Sequence, residues 1–268
     1  MKTKLFCLLY FLMLSLGINA QNISIPDVNF KTRLLSSSAS NTVAKNLSGN
    51  YFKIDANGDG QIQQSEALQV SELNIIFYGS DTGLSYTTIN SIDGIKSFSA
   101  LKSFKLQIGN TNYYSGAIDL SNMASLEKAD LSIGFTSTLN HDINVSNCTA
   151  LKTLKTSASN GANLNFNGCT TLQEVKLYGN GDSSPTIGTI NLNNFTSLKS
   201  LYIENINLNN LLLQGCNALE NITLKEYTTN TISNPLNVSN LPSLKTLTFN
   251  NYNVNLDAHN CLYVFKPI

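Results

Sequence analysis

Between Ile190 and Ile203 the chain reads I-N-L-N-N-F-T-S-L-K-S-L-Y-I, with apolar residues at Ile190, Leu192, Phe195, Leu198, Leu201 and Ile203. The spacing recurs with other side chains. With Leu198 as position zero, the series runs Leu101, Leu126, Leu151, Leu172, Leu198, Leu219, Leu244 and Leu262, at intervals of 25, 25, 21, 26, 21, 25 and 18. Val70, Leu73 and Ile75 fit the same L-x-x-L-x-L frame one repeat earlier. Apolar columns also run at −6 (Ile95 to Leu256), +3 (Phe104 to Phe265) and +5 (Leu106 to Phe249), with Thr156 and Pro267 as departures in the last of these. A period of 20–29 residues in this frame is the mark of a leucine-rich repeat, in which no unit buries its apolar side alone and neighbours stack on a continuous core. The expected fold is an α/β-type solenoid dominated by parallel β-strands, curved, over residues 70–268, with nine strands spanning about 40 Å.

Residues 21–69 break from this pattern and predict a small helical N-terminal cap. Ser24 is placed to start a short helix running to Leu35, with Pro26 and Asp27 in its first turn and Phe30, Leu34 and Leu35 on one face. Ser36 to Asn50 reads as a polar connecting loop. Residues 55–66 then carry an oxygen donor at each position that an EF-hand-like calcium loop requires. Asp55, Asn57 and Asp59 stand at positions 1, 3 and 5, and Gly60 at the sharp turn of position 6. Gln61 offers its backbone carbonyl at position 7, Gln63 stands at position 9, and Glu66 supplies two oxygens at position 12. This all-oxygen set suits Ca2+, a hard cation with six to eight ligands, and not a thiophilic metal. Gly49 and Asn50 interrupt any entering helix, so the loop is expected to hold the cap rather than to open and close.

The first twenty residues read differently again. Lys2 and Lys4 precede an apolar run from Leu5 to Leu16, and Gly17-Ile18-Asn19-Ala20 offers small residues for cleavage before Gln21. This is the pattern of a secretory signal peptide over 1–20, too short to span a bilayer. The expected location is secreted or cell-surface, with neither a lipid anchor nor a sorting domain and no membrane insertion. Cleavage removes two of the 17 basic residues and none of the 17 acidic ones, leaving a net charge of −2. That argues against nucleic acid as a partner. Cleavage also removes Cys7 and leaves Cys148, Cys169, Cys216 and Cys261. An even count in an exported chain invites disulfides. Three of the four, however, share the −3 column with Phe98, Met123, Phe195 and Leu241, where a free Cys serves as a small apolar residue. Only Cys148 and Cys169 sit on adjacent rungs. His259 ends this column, in a cap position.

The polar columns carry the candidate contacts. Position +1 mostly alternates in sign (Lys102, Glu127, Lys152, Gln173, Lys199, Glu220, Lys245) and reads as a compensated surface ladder. Position +4 holds Lys105, Asp130, Lys155, Lys176, Tyr202, Thr223 and Thr248. With Tyr178 it predicts a basic, aromatic patch in the middle of the sheet. The variable segments 108–117, 157–163, 178–189 and 225–235 read as loops, and their Tyr113, Tyr114, Tyr178 and Tyr227 as further contact residues. Pro267 stops the last strand, leaving a terminal rung open to packing or self-association.

I-P-D-V-N-F-K (Ile25–Lys31), I-D-A-N-G-D-G-Q-I-Q-Q-S-E-A (Ile54–Ala67), V-S-E-L-N-I (Val70–Ile75), D-G-I (Asp93–Ile95) and I-N-V-S-N-C-T-A-L-K-T-L (Ile143–Leu154) together resemble the exported leucine-rich repeat proteins of Bacteroidetes. F-N-G-C-T-T-L-Q-E-V (Phe166–Val175) is similar to their BspA-like short repeats. The resemblance implies an extracellular protein that binds a protein or matrix partner. A non-enzymatic binding module, for an unknown protein or surface glycan, is therefore the leading expectation. A structural surface-assembly component is the alternative. A polysaccharide-acting enzyme is disfavoured, because acidic residues are scattered, His is scarce, and neither H-E-x-x-H nor G-x-S-x-G occurs.

Overall fold

The computed structural model describes residues 21–77, 89–109, 114, 116–133, 142–179, 184–232 and 234–259, with backbone alone at 227–231 and 252–253. The proposed signal at 1–20, Cys261 and the strand that Pro267 was expected to end lie outside these residues.

The chain folds as a parallel-strand β-solenoid with few helices. Eight parallel strands stack in sequence order: β2 (Val70–Phe77), β3 (Ser103–Ile108), β5 (Lys128–Ile133), β7 (Thr153–Ala158), β9 (Glu174–Gly179), β11 (Ser200–Glu204), β13 (Asn221–Thr231) and β15 (Thr246–Asn253). Among the described residues this sheet has one further strand, at its N-terminal edge. It is β1 (Ala44–Asn46), which pairs antiparallel with β2 inside the segment expected to be a loop. Asn46 accepts from Ser48 and Asn50 through its side chain, and Gly49 takes φ +81°, so the turn folds Tyr51 back against Lys45.

The register reproduces the apolar columns. Leu73, Phe104, Ala129, Leu154, Val175, Leu201, Ile222 and Leu247 are partners across successive strands, and all are buried. Thr156 is fully buried among aliphatic neighbours. Its hydroxyl donates to the Ser157 carbonyl at 3.0 Å, which removes the cost of burying a lone polar group.

Between rungs, among the described residues, the chain makes short strands and turns instead of α-helices, so the α/β expectation fails there. A single 3₁₀ turn stands at Ile95–Ser97. The short strands form three small parallel sheets: β4 (Ile118–Asp119), β6 (Ile143–Asn144) and β8 (Leu164–Asn165); β10 (Thr186–Asn191) and β12 (Asn207–Leu212); β14 (Leu236–Asn237) and β16 (Leu256–Asp257). Part of the segment 178–189 is thus β10, and β13 runs on to Thr231 through the supposed loop after Lys225.

The turns leading to the last six of the eight parallel strands each contain one left-handed residue at position −4. These are Asn122, Asn147, Gly168, Asn194, Gly215 and Asn240, with φ between +59° and +79°. Asn and Gly are the residues that enter this region at least cost. In five of the six an Asp or Asn side chain three positions earlier accepts the −5 amide, as in Asn144 Oδ1 with Ser146 N (3.1 Å) and Asn191 Oδ1 with Asn193 N (3.1 Å); before Gly215 that amide, Gln214 N, donates to Asn193 Oδ1 of the preceding rung.

The N-terminal residues pack against the first rung. Helix α1 (Val28–Leu35) starts later than expected, because Asp27 rather than Ser24 caps it, accepting from Phe30 N at 2.8 Å. Phe30 and Leu34 enter the core. The other oxygen of Asp27 accepts Asn90 N at 2.7 Å. Gly94 lies so close to this segment that a Cβ would stand 2.6 Å from the Ser24 carbonyl oxygen. A one-turn helix, α2 (Gln64–Ala67), leads into β2. Among the described residues no helix is long and apolar enough to cross a membrane.

Candidate metal loop and outward sheet face

Residues 55–66 form a tight loop whose side chains organise its own backbone. Asp55 Oδ1 accepts from Gly58 N (2.8 Å) and Asp59 N (3.1 Å), and its Oδ2 from Gly60 N (3.2 Å). Asn57 Oδ1 accepts from Asp59 N (3.0 Å), and Asp59 Oδ1 from Gln61 N (2.8 Å). Glu66 reaches back from α2 to take Ala56 N on Oε1 (2.7 Å) and Gln63 N on Oε2 (3.0 Å). Both glycines at the bend, Gly58 and Gly60, have φ +76°. The loop is entered from the β1 turn, in keeping with the interruption at Gly49 and Asn50.

The donor set closes through amides. Asn57 Nδ2 donates to Asp59 Oδ2 (3.1 Å) and to Gln63 Oε1 (3.3 Å), and Gln63 Nε2 donates to Asp59 Oδ2 (2.8 Å). These N–H groups bridge oxygens in the way a cation would, and turning each amide over presents oxygen instead. Asp55 and Glu66 are buried, and Lys53 Nζ stands 3.8 Å from Asp55 Oδ2. Backbone N–H groups satisfy the oxygens of both carboxylates but carry no net charge, and a bound cation would supply one. Among the described residues no three His, Cys, Asp or Glu side chains gather into a metal group. Three residues outside 55–66, not marked by the calcium-loop motif, also join the loop. Asn22 Oδ1 accepts from Gln63 Nε2 (3.2 Å), and Ile23 N donates to the Ile62 carbonyl (2.8 Å), so residues 21–23 pair along the loop. Lys31 Nζ holds the Gln61 side chain at 2.6 Å.

On the main sheet the register brings the predicted outward column together. Asn74, Lys105, Asp130, Lys155, Lys176, Tyr202, Thr223 and Thr248 are successive partners, all partly exposed. Tyr178 lies diagonally beside Tyr202, with ring centroids 5.6 Å apart. Lys155 Nζ stands over the Tyr178 ring at 5.5 Å.

The basic character expected of this patch is largely cancelled. Lys155 pairs with Asp130 (3.8 Å), Lys176 with Glu174 (2.6 Å) and Lys225 with Glu204 (2.7 Å). The hydrogen bond to Glu174 raises the Lys176 pKa and keeps that ammonium charged. Glu204 also takes the Tyr202 hydroxyl at 2.6 Å. Glu174, Glu204 and Lys225 fall at +2 and +6, and extending the column count to those offsets would have found them. Tyr114 is no contact residue: it is buried, and its hydroxyl donates to the Ala117 carbonyl at 2.9 Å. Tyr113 and the Tyr227 side chain lie outside the described residues.

The sign-alternating ladder at +1 forms as expected. Lys152 meets Glu127 at 2.6 Å and Lys245 meets Glu220 at 2.7 Å. The hydrogen bond from Lys152 holds the Glu127 carboxyl below its usual range, and Lys245 does the same for Glu220.

Cys148, Cys169 and Cys216 are free thiols, fully buried. Each donates its S–H to the −6 carbonyl of the preceding rung: Cys148 to Leu120 (3.0 Å), Cys169 to Val145 (2.9 Å) and Cys216 to Leu192 (3.0 Å). They are polar links between rungs as well as core fillers. His259 does not join this column; its side chain is 88% exposed and pairs with Asp257. No model of a known protein family matches this sequence, and no curated protein matches it either.

Proposed function

We propose that this chain is an extracellular, non-enzymatic binding module on a leucine-rich repeat scaffold, with Ca2+ held at residues 55–66 of an N-terminal cap. The observation that carries the binding role is the outward face of the eight parallel strands, where register lines up partly exposed polar and aromatic side chains around Tyr178 and Tyr202. Solenoids use such extended faces to engage large partners. The repeat spacing and the Asn or Gly turns support the leucine-rich reading. The hydrogen-bonded ring of Asp55, Asn57, Asp59, Gln63 and Glu66 supports the calcium reading. When bound, the cation would neutralise the buried carboxylates and tie residues 21–23 to the start of β2.

The test is retention of the mature chain, with and without calcium, on immobilised matrix proteins and on a glycan array. The paired change Lys155→Glu with Lys176→Glu is expected to weaken binding by about tenfold or more. Retention on none of these surfaces, or undiminished retention of the variant, counts against the module.

A further inference from the structure

The outward positions of the eight strands differ in chemistry from an ordinary protein-docking surface. On alternate residues of the strands the face is Glu, Ser, Lys, Thr, Asn, Asp and Gln, with Tyr178 and Tyr202 at its centre. Among the described residues Ile76, on the first rung, is the only aliphatic side chain at these positions. The large exposed hydrophobics, Val28, Leu47, Tyr51, Leu68 and Leu212, all lie elsewhere. Protein interfaces anchor on a desolvated apolar centre. This face offers two aromatic rings in a field of hydroxyls, amides and carboxylates.

Around the two tyrosines the charges are spent internally. Lys155, Lys176 and Lys225 are each paired with a carboxylate of the same face. A charged ligand would have to break these pairs to be recognised, whereas a neutral one leaves them in place. The aromatic pair is also braced before any ligand arrives. The Tyr202 hydroxyl is fixed by Glu204, Glu204 is fixed by Lys225, and Lys155 stands against the Tyr178 ring. Held rings lose little entropy on binding, and a Tyr face takes up apolar C–H surface while its surroundings exchange hydrogen bonds. A ligand with apolar ring faces, many hydroxyls and no charge has this complement.

From these features we infer that the sheet face around Tyr178 and Tyr202 binds a neutral polysaccharide laid across the rungs. The inference rests on the reading of this face as a binding surface. The sugar rings pack on Tyr178 and Tyr202, and their hydroxyls exchange hydrogen bonds with neighbours such as Ser157, Thr223 and Glu204.

Affinity electrophoresis of the mature chain tests it, in native gels containing soluble β-glucan, xylan, galactomannan or α-mannan. Parallel gels hold heparin or gelatin. At least one neutral polysaccharide is expected to retard the protein, with little change between about 0.05 M and about 0.5 M salt. Tyr178→Ala and Tyr202→Ala are expected to weaken that retardation by about tenfold or more each, and Tyr202→Phe by less. Unchanged melting temperatures of these variants ensure that retardation reports binding. Absence of retardation by all four neutral polysaccharides overturns the inference, as does retardation by heparin alone. If gelatin alone retards the chain and the Tyr variants abolish it, the partner is polypeptide and the binding face stands. If the Tyr variants leave every retardation unchanged, the face itself falls with the inference.

Discussion

At the scale of single residues, burial and hydrogen bonding decide roles that residue type leaves open. The three described cysteines could have been bridged, reactive or inert. Burial pushes the Cys169 and Cys216 thiols up to about 11 and raises Cys148 as well. At pH 8 such a thiol is thiolate in about one part in a thousand, and the thiolate is the reactive form. Cys148, Cys169 and Cys216 should therefore resist iodoacetamide at pH 8 in the folded chain and react fully in denaturant, as read by peptide mass mapping. Cys169→Ala removes the donor to the Val145 carbonyl and should cost about 1–3 kcal/mol in denaturant unfolding. The metal loop makes a similar demand on Asp55 and Glu66. If calcium binds there, chelation lowers the melting temperature of the parent chain, and Asp55→Ala or Glu66→Ala abolishes that response. At a hundredfold excess over Kd the lost stabilisation is about 2.7 kcal/mol. A melting curve indifferent to chelator refutes the site.

At the scale of elements, what was legible in the sequence was whatever repeats. Leu101, Leu126, Leu151, Leu172, Leu198 and Leu219 are buried because a fixed spacing returns each to the same point of the stack. The loop at residues 55–66 was legible for a related reason, since local turn geometry sets which of its side chains accept backbone N–H groups. Strand β1 was not legible. Ala44–Asn46 is short, polar and non-repeating, and it is a strand only because β2 offers it an edge. The start of α1 was misplaced because Ser24 and Asp27 are both competent caps, and the contact of Asp27 with Asn90, far along the chain, selects one. Cancellation of the central basic patch was missed because it needs three columns at once. The turns carry a prediction of their own. Asn194 sits at φ +65°, where a Cβ without a compensating side chain is strained. Asn194→Ala should cost about 1–2 kcal/mol, while Asn194→Gly should cost clearly less, both measured by urea unfolding.

At the scale of the whole molecule, each rung contacts mainly its two neighbours, so stability is a sum of local terms plus what happens at the ends. The N-terminal segment seals the first end through Asp27, Gly94 and Gln64, whose side-chain amide donates to the Ser97 carbonyl at 2.9 Å. Gly94→Ala combines φ +96° with a Cβ that meets the Ser24 carbonyl. It should loosen residues 21–35 from the first rung, and hydrogen exchange should rise there before it rises in β9 or β11. Uniform exchange along the chain would show instead that the array melts as one unit.

The antiparallel pairing of β1 with β2 also answers a problem peculiar to arrays. Rungs of nearly equal length and similar apolar content can pair one place out of step and still satisfy most of their backbone, since only the extremities pay for the slip. Nothing inside such a series marks which rung is first. Strand β1 has no counterpart among the other described strands, and it pairs with one edge, that of β2. It therefore acts as an origin from which all later rungs are counted. A chain deprived of it would be expected to lose its single frame before it loses its strands.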